Sequence, residues 1–245
     1  MIIGLDVGGT HTDVVLLGTE GLIRSVKIKT EAADLFKTVL EGIDRITTGI
    51  APDRIERLVL STTLTTNAVV QGKIPAVGMI VAGGPGINPE VYRPCDNYHI
   101  VDGAIDHRGR ETAALDLSQI DAIAAQMAGK GIELVGVVGK FSTRNPAHET
   151  AIADLIADRF KKVFLGHRVS ASLNFPRRIA TTYLNTAVYP IHREFFSAVK
   201  NSLVQKGLTV PIRILKADGG NMSLDASIDF PAQTILSGPA ASVMG

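Results

Sequence analysis

The chain has 245 residues, of which 45% are apolar and 20% charged, the composition of one large domain or two small ones and not of a disordered chain. Lys and Arg total 25 against 24 Asp and Glu, a formal net charge of +1, so no basic excess exists to hold a nucleic-acid backbone. Cys95 stands alone, which rules out an internal disulfide framework and any cysteine-based zinc or iron–sulfur site within one chain. The opening residues, Met1 to Asp6, meet an acid at once and do not read as a signal peptide, and no apolar run approaches the roughly 20 residues that span a bilayer. A cytoplasmic protein with no membrane partner is expected. Two oddities stand out. The 24 glycines exceed the usual ~7% share, and the ending from Ser237 to Gly245 reads as mid-domain sequence.

Three strands are expected first, at residues 1–6, 12–17 and 22–29, with Gly8-Gly9 as a tight turn. Leu35, Phe36, Val39, Leu40, Ile43 and Ile46 then share one face of a helix. Leu58 to Leu60 reads as a buried strand that runs into Ser61-Thr62-Thr63 and a short helix through Asn67 to Gln71. Ala76 to Ala82 is a further strand, residues 83–94 a Gly/Pro-rich loop, and residues 97–112 a polar hairpin closed by Arg108-Gly109-Arg110. From Leu117 the pattern becomes helix and strand in alternation. Ser118 can cap a helix bearing Ile120, Ile123 and Met127, and Leu134 to Val138 is a strand. Asn145-Pro146 opens another helix, Val163 to Leu165 is a strand, and residues 177–205 form the longest helix, which Pro190 should kink or divide. Ile212 to Ala217 is a strand ending in Asp218-Gly219-Gly220. Three strands followed by alternating helices and strands make an α/β layered architecture.

The sharpest chemical signal is Asp6-Val7-Gly8-Gly9-Thr10-His11-Thr12-Asp13. A carboxylate at a strand end can hold Mg²⁺, two glycines let backbone N–H groups approach phosphate oxygens, and the Thr10 and Thr12 hydroxyls add donors. A plain hairpin turn is the competing reading, and the flanking acids and threonines favour phosphate. Neither a P-loop nor a dinucleotide fingerprint is present. Ser61 to Ala68 could place hydroxyls at a ligand edge or could simply be a capped helix start, and spacing leaves the two even. Asp218-Gly219-Gly220 leans towards a turn, and Ser237-Gly238-Pro239-Ala240 is equally a loop or an anion-facing segment. Asn145 to Glu149 reads better as helix-start chemistry than as a metal or general-base site, and no histidine pair stands at i, i+4. Arg177 and Arg178 read as surface charges or as groups facing an anion.

These segments in this order resemble the ATP-dependent hydantoinase/oxoprolinase A-type proteins. The resemblance rests on Gly4 to Asp13, Ser61-Thr62-Thr63 through Thr66-Asn67-Ala68, Asn145 to Glu149, Asp218-Gly219-Gly220, and Thr234 to Ala241. It implies an actin-like ATPase lobe of the ribonuclease H-like, sugar kinase/Hsp70/actin type, with a mixed sheet and flanking helices. It implies an N-terminal lobe over residues 1–170, with residues 171–245 starting the family's catalytic region. The implied activity is ATP-driven opening of a small cyclic amide, such as a hydantoin or 5-oxoproline, through phosphoryl transfer to the amide oxygen. Asp6 would hold Mg²⁺, and Gly8, Gly9, Thr10 and Thr12 would cradle the phosphates of ATP, joined by Asp218, Gly219, Gly220, Ser237 and Gly238. Asp13 would orient that loop or a metal-bound water. Thr63 would act near the reacting groups, with Thr62 and Asn67 lining the substrate cleft. A B-type subunit is the implied partner, relatives in the wider group carboxylate ketones, and homo-oligomerisation is left open.

Two departures carry weight. Family members are longer and carry a second glycine loop on an opposite, C-terminal lobe, so this chain alone is expected to bind ATP weakly and turn over little. His11 stands where Phe is more usual. A silent half-ATPase serving as scaffold, and a sugar kinase of the same fold, are the rival readings. A radical-enzyme activator is disfavoured because Cys95 cannot supply paired cluster ligands.

Overall fold

The computed structural model describes residues 1–31 and 34–244, so Gly245 of the terminal segment lies outside the described residues. In chain order the elements are β1 (Ile2–Val7), β2 (His11–Gly18), β3 (Gly21–Lys29), α1 (Leu35–Thr47), β4 (Arg57–Thr62) and α2 (Leu64–Val70). Next come β5 (Gly78–Ala82), β6 (Tyr98–Val101), β7 (Ala104–Ile105), β8 (Glu111–Ala113), α3 (Leu117–Gly129), β9 (Leu134–Gly139) and α4 (Ala147–Ile156). The rest are β10 (Lys162–Leu165), α5 (Gly166–Val169), α6 (Phe175–Gln205), β11 (Ile212–Leu215), β12 (Asn221–Ser223), α7 (Leu224–Asp229) and α8 (Ser237–Met244).

Packing divides the chain into two compact units, Met1–Lys73 with Val188–Gly245, and Ile74–Ala187. The segments expected from sequence met instead at 170/171. The difference has a simple source: β11, late in the chain, returns to pair with β4, which contiguous segments cannot express.

The first unit is built on a six-stranded sheet of order β12-β11-β4-β1-β2-β3. β1, β2 and β3 form the expected antiparallel meander, while β4 runs parallel to β1 and β11 parallel to β4. Alternation along β1 and β2 sends Ile3, Leu5, Val7, Val14 and Leu16 to the core and leaves Asp6 and Asp13 exposed. α1 covers this sheet with Val39, Ile43 and Ile46, all buried, and Asp34 caps it by accepting from the Lys37 N–H at 2.9 Å.

The second unit carries a four-stranded parallel sheet of order β10-β9-β5-β6. β5 and β9 are buried along their whole length, as central parallel strands covered on both faces must be. β6 joins this sheet, so the expected hairpin over 97–112 shrinks to β7 and β8. The Asp106 carboxylate closes that turn by accepting from the Arg108 and Arg110 N–H groups and the Arg110 side chain, which holds its pKa down at about 2. Asp116, not Ser118, caps α3, because its Oδ1 accepts from both the Ser118 and Gln119 N–H groups. α6 runs unbroken through Pro190, so the proline does not divide it. Burial of Ala187, Val188, Phe195 and Phe196 around the proline outweighs the missing backbone donor.

One polar group in the first unit's core has a defined protonation state. His192 is wholly buried, its Nε2 lies 3.1 Å from Ser227 Oγ, and its ring is 4.4 Å from that of Phe196. Ser227 spends its single hydroxyl proton on the Leu224 carbonyl at 2.7 Å, so Nε2 must be the donor and Nδ1 the bare nitrogen. Nδ1 has no partner among the described residues. Burial therefore pushes the imidazole from its ordinary 6.5 down to about 3. The unfolded chain binds a proton that the folded chain refuses, so this group costs stability as pH falls below about 6.5 towards 3, by about 1.4 kcal/mol per unit in mid-range. Urea unfolding across that window is expected to show the slope, and His192→Leu is expected to flatten it. Equal slopes in the two proteins would contradict the assignment.

Candidate functional site

Because β1, β4 and β11 are parallel, their carboxyl ends open on one edge of the first sheet. The register pairs Val7 with Thr62, which sets the Gly8-Gly9 loop beside Thr63. The Thr63 N–H and hydroxyl both donate to the Val7 carbonyl, at 3.0 and 3.4 Å, and Asn67 Nδ2 donates to Thr63 Oγ1 at 3.1 Å. Gly8 is a steric requirement. Its N–H donates to the His11 carbonyl at 3.1 Å, and a Cβ there would lie 2.8 Å from that same oxygen. Closing the turn in this way spends the Gly8 N–H, while the Gly9 and Thr10 N–H groups have no acceptor among the described residues. A cavity of about 290 Å³ opens here, walled by Gly8, Gly9, Thr63 and Asn67 on the polar side and by Leu35, Leu64, Ala68 and Ile191 on the apolar side. Gln71 and Lys73 complete it.

Asp6 and Asp13 face each other across the β1–β2 pair, both exposed, and Asp13 carries an ion pair to Lys27 at 2.9 Å. Thr10 is exposed, with its hydroxyl 3.3 Å from His11 Nδ1. Thr12 is different. It points to the core, is wholly buried and shares a hydrogen bond with Thr30 Oγ1 at 3.0 Å, so its hydroxyl is not turned to the loop. Thr62 is buried too, its Oγ1 accepting from the Leu64 N–H at 3.1 Å. Alternation explains Thr12, which stands between the exposed His11 and Asp13, whereas Thr62 lies where β4 is buried on both faces.

Asp218-Gly219-Gly220 is the β11–β12 turn, with Gly219 at φ +81° and Asp218 Oδ1 accepting from the Gly220 N–H at 2.9 Å. Asp218 also pairs with Lys216 at 2.7 Å, and these contacts lower its pKa. The turn follows β11 at the same sheet edge, yet none of its residues lines the cavity. Gly238 at the start of α8 lies against Thr63, where a Cβ would be 3.4 Å from Thr63 Cγ2. Just before it, Leu236 adopts φ +68°, a strained value for a leucine, and its N–H donates to Thr66 Oγ1 at 2.9 Å. Ser61 Oγ and Ser237 Oγ are buried with no partner among the described residues. Among those residues no group of three His, Cys, Asp or Glu side chains converges on one point.

Residues 2–160 match the hydantoinase/oxoprolinase N-terminal region, and residues 178–245 match hydantoinase/oxoprolinase. The chain belongs to the hydantoinase/oxoprolinase family. It is 22% identical to the caprolactamase subunit alpha of Pseudomonas jessenii, over 98% of this chain and 38% of that protein. It is 25% identical to the acetone carboxylase beta subunit of Xanthobacter autotrophicus, over 100% of this chain and 39% of that one. The chain thus spans about two-fifths of the length of these relatives. Among solved structures it is similar to nucleotide-free acetone carboxylase (TM-score 0.85, 20% identity, 100% of this chain and 39% of that one). It is also similar to the ATP-dependent caprolactamase of Pseudomonas jessenii (TM-score 0.76, 21% identity, 99% and 39%). The fold is therefore the actin-like ATPase type, with the mixed sheet and flanking helices expected. No helix among the described residues is long and apolar enough to cross a membrane.

In this member of the hydantoinase/oxoprolinase family, the second unit holds polar groups whose sequence context suggests helix-start and surface roles. Asn145 Oδ1 accepts from the Ala147 N–H at 3.0 Å, but α4 starts one residue later than expected, with Pro146 and not Asn145 at the cap position. Glu149, however, is wholly buried. One carboxylate oxygen accepts from the Gly139 N–H at 2.7 Å, and the other accepts from the His167 N–H at 2.9 Å and lies 2.5 Å from His167 Nδ1. Arg178 is also wholly buried and donates to the Gly139, Lys140 and Ser172 carbonyls, and burial lowers its pKa despite the nearby Glu149 charge. The Glu149 and Arg178 side chains thus hold the carboxyl ends of β9 and β10 from both polarities. No local periodicity announces this, since both residues sit in the first turn of an otherwise ordinary helix. Glu149→Ala leaves the buried Gly139 and His167 N–H groups without their acceptor and removes the carboxylate charge near the buried Arg178, and is expected to cost about 3 kcal/mol in urea unfolding. A loss below about 0.5 kcal/mol, the size of an ordinary surface change, would contradict it.

Proposed function

We propose that this chain supplies the phosphate-binding and lactam-facing part of an ATP-dependent cyclic amide hydrolase. One observation carries the reading: the glycine loop, whose Gly9 N–H is unspent, lines a small, largely apolar cavity that Thr63 and Asn67 border. A cavity of about 290 Å³ is the right scale for a small ring with a phosphoryl group at its mouth. Its apolar wall, from Leu35, Leu64, Ala68 and Ile191, suits the methylene side of such a ring. Relatives named for caprolactam hydrolysis and acetone carboxylation support an activated carbonyl oxygen as the shared chemistry.

An amide resists water because resonance lowers the charge on its carbon. ATP, when bound, supplies a phosphoryl group that converts the amide oxygen into a leaving group, and Mg²⁺ neutralises charge on the phosphates. The Gly9 and Thr10 N–H groups are placed to donate to phosphate oxygens, and the exposed Thr10 hydroxyl adds a third donor. Asp6 and Asp13, oxygen donors paired across the hairpin beside that loop, fit a hard cation that keeps most of its waters and would hold it. Asn67 holds the Thr63 hydroxyl, and Thr63 is anchored on Val7, so substrate-facing groups and loop move as one piece. Thr12 and Thr62 serve by buried hydrogen bonds, to the Thr30 hydroxyl and from the Leu64 N–H, that hold the strand ends beneath the loop. Asp218, Gly219, Gly220, Ser237 and Gly238 shape the same sheet edge. The word subunit in the relatives' names supports a B-type partner that completes hydrolysis.

The similarity to acetone carboxylase keeps one second reading, in which a ketone oxygen is activated and bicarbonate is consumed. The test is phosphate release by the native protein with its partner subunit, against hydantoin, 5-oxoproline, simple lactams, and acetone with bicarbonate. Lactam-stimulated release that Asp6→Ala lowers by about 100-fold or more is expected, since the substitution removes a charge that holds the metal. Release unaffected by the substitution would sink the metal assignment, and stimulation by ketone and bicarbonate alone would select carboxylation. No stimulation by any of these would favour the scaffold.

A further inference from the structure

The cavity beside the glycine loop contains one cation that neither the sequence motifs nor the relatives' names assign. α2 ends in a Schellman turn: Gly72, at φ +65°, donates to the Val69 carbonyl at 3.1 Å, and the Lys73 N–H donates to the Ala68 carbonyl at 2.9 Å. This six-to-one closure folds Lys73 back along the helix, onto the wall that Ala68 and Asn67 already form. A glycine is needed there, because the left-handed backbone at residue 72 admits few other residues. The turn therefore fixes where Lys73 stands.

Its charge is unanswered. Lys27, Lys37, Lys161, Lys200, Lys206 and Lys216 each pair with a carboxylate, whereas Lys29, Lys73, Lys130 and Lys140 pair with none among the described residues, and of these four only Lys73 lines the cavity. The other residues lining the cavity are glycines, apolar side chains, a threonine and two amides, so nothing in the wall neutralises it. A cation with no carboxylate partner and the unspent Gly9 N–H line one cavity, and together they make a place for an anion.

We propose that Lys73 is the anion-holding residue of this cavity, and that the group it holds is an oxyanion, either the terminal phosphoryl of the nucleotide or a carboxylate carried by the cyclic amide. The assignment rests on the reading of the cavity given above, and adds to it that a neutral lactam gains nothing from Lys73. The two sources make different demands on the same ammonium: a phosphoryl group needs it for every substrate, a carboxylate only for acidic ones.

The test is calorimetric titration of the native protein with Mg-ATP, with 5-oxoproline and with neutral 2-pyrrolidinone, in wild type, Lys73→Met and Lys73→Arg. Lys73 is exposed, and an unchanged melting temperature will show that the variants fold. Lys73→Met is expected to weaken Mg-ATP or 5-oxoproline by about tenfold or more, the scale of one charge-assisted contact, with Lys73→Arg keeping most of the affinity. Weakening of Mg-ATP marks the phosphoryl source and weakening of 5-oxoproline alone the carboxylate source, while 2-pyrrolidinone stays unchanged. Affinities for both anions within about twofold of wild type would overturn the proposal, as would a wild type that binds neither anion. Phosphate release is read in the same preparations. Loss of lactam stimulation beside Lys73-dependent anion binding would remove the cyclic-amide reading and leave the lysine's role standing.

Discussion

The parallel pairing of β1 with β4 is the constraint on which the candidate site depends. β1 delivers the glycine loop and β4 delivers Thr63, and only their shared direction brings both to one edge of the sheet. The Val7 carbonyl is the point of closure, since it accepts from both the N–H and the hydroxyl of Thr63. A slip of one residue in this register would turn Leu58 and Leu60 out of the core while it moved Thr63 off the loop. The hydrophobic pattern of the strand therefore guards the position of a polar group that contributes nothing to the core. Stability and site geometry are coupled through one ladder.

The same principle accounts for what could and could not be read from the chain. The meander, α1, α2 and the alternating units after Leu117 follow periodicity and turn residues, which are local, and the structure carries them with shifts of a few residues. The sheet order is not local. β6 looks like half of a polar hairpin until β5 claims it, and β11 looks like the last strand of a run until β4 claims it. The glycine loop was legible because a turn between adjacent strands is a local object. Thr12 stands among phosphate-suited neighbours, whereas the side a strand residue faces follows its parity, and Thr62 lies on a strand buried on both faces at that end. Lys73 was missed because its significance lies in a missing partner, and absence of a carboxylate is a property of the fold.

Buried polar groups divide along the same line. Glu149 carries a charge-type acceptor into a place without water, and three N–H donors compensate it. His192 takes the opposite course: it stays neutral, donates once and leaves Nδ1 bare. Neither can be told from a surface residue by sequence position, since each occupies an ordinary helical slot. What separates them is whether the surrounding backbone offers donors. The ends of β9 and β10 do, at Gly139 and His167, and the core face of α6 near His192 does not.

Asp13 shows how a functional group can be held without being used up. Its one ion pair among the described residues is with Lys27 one strand away, and both side chains are more than half exposed, at 52% and 62%. Water and salt screen such a pair, so it contributes little to folding and gives way easily to a stronger partner. The divalent cation proposed above, shared with Asp6 across the hairpin, would be such a partner, because it carries twice the charge and would meet two carboxylates at once. Asp218, by contrast, is tied by Lys216 and by the N–H of its own turn, contacts that lower its pKa and close the β11–β12 connection. Two aspartates thus differ in what surrounds them: Asp13 rests on an exposed, exchangeable ion pair, whereas Asp218 is built into a turn.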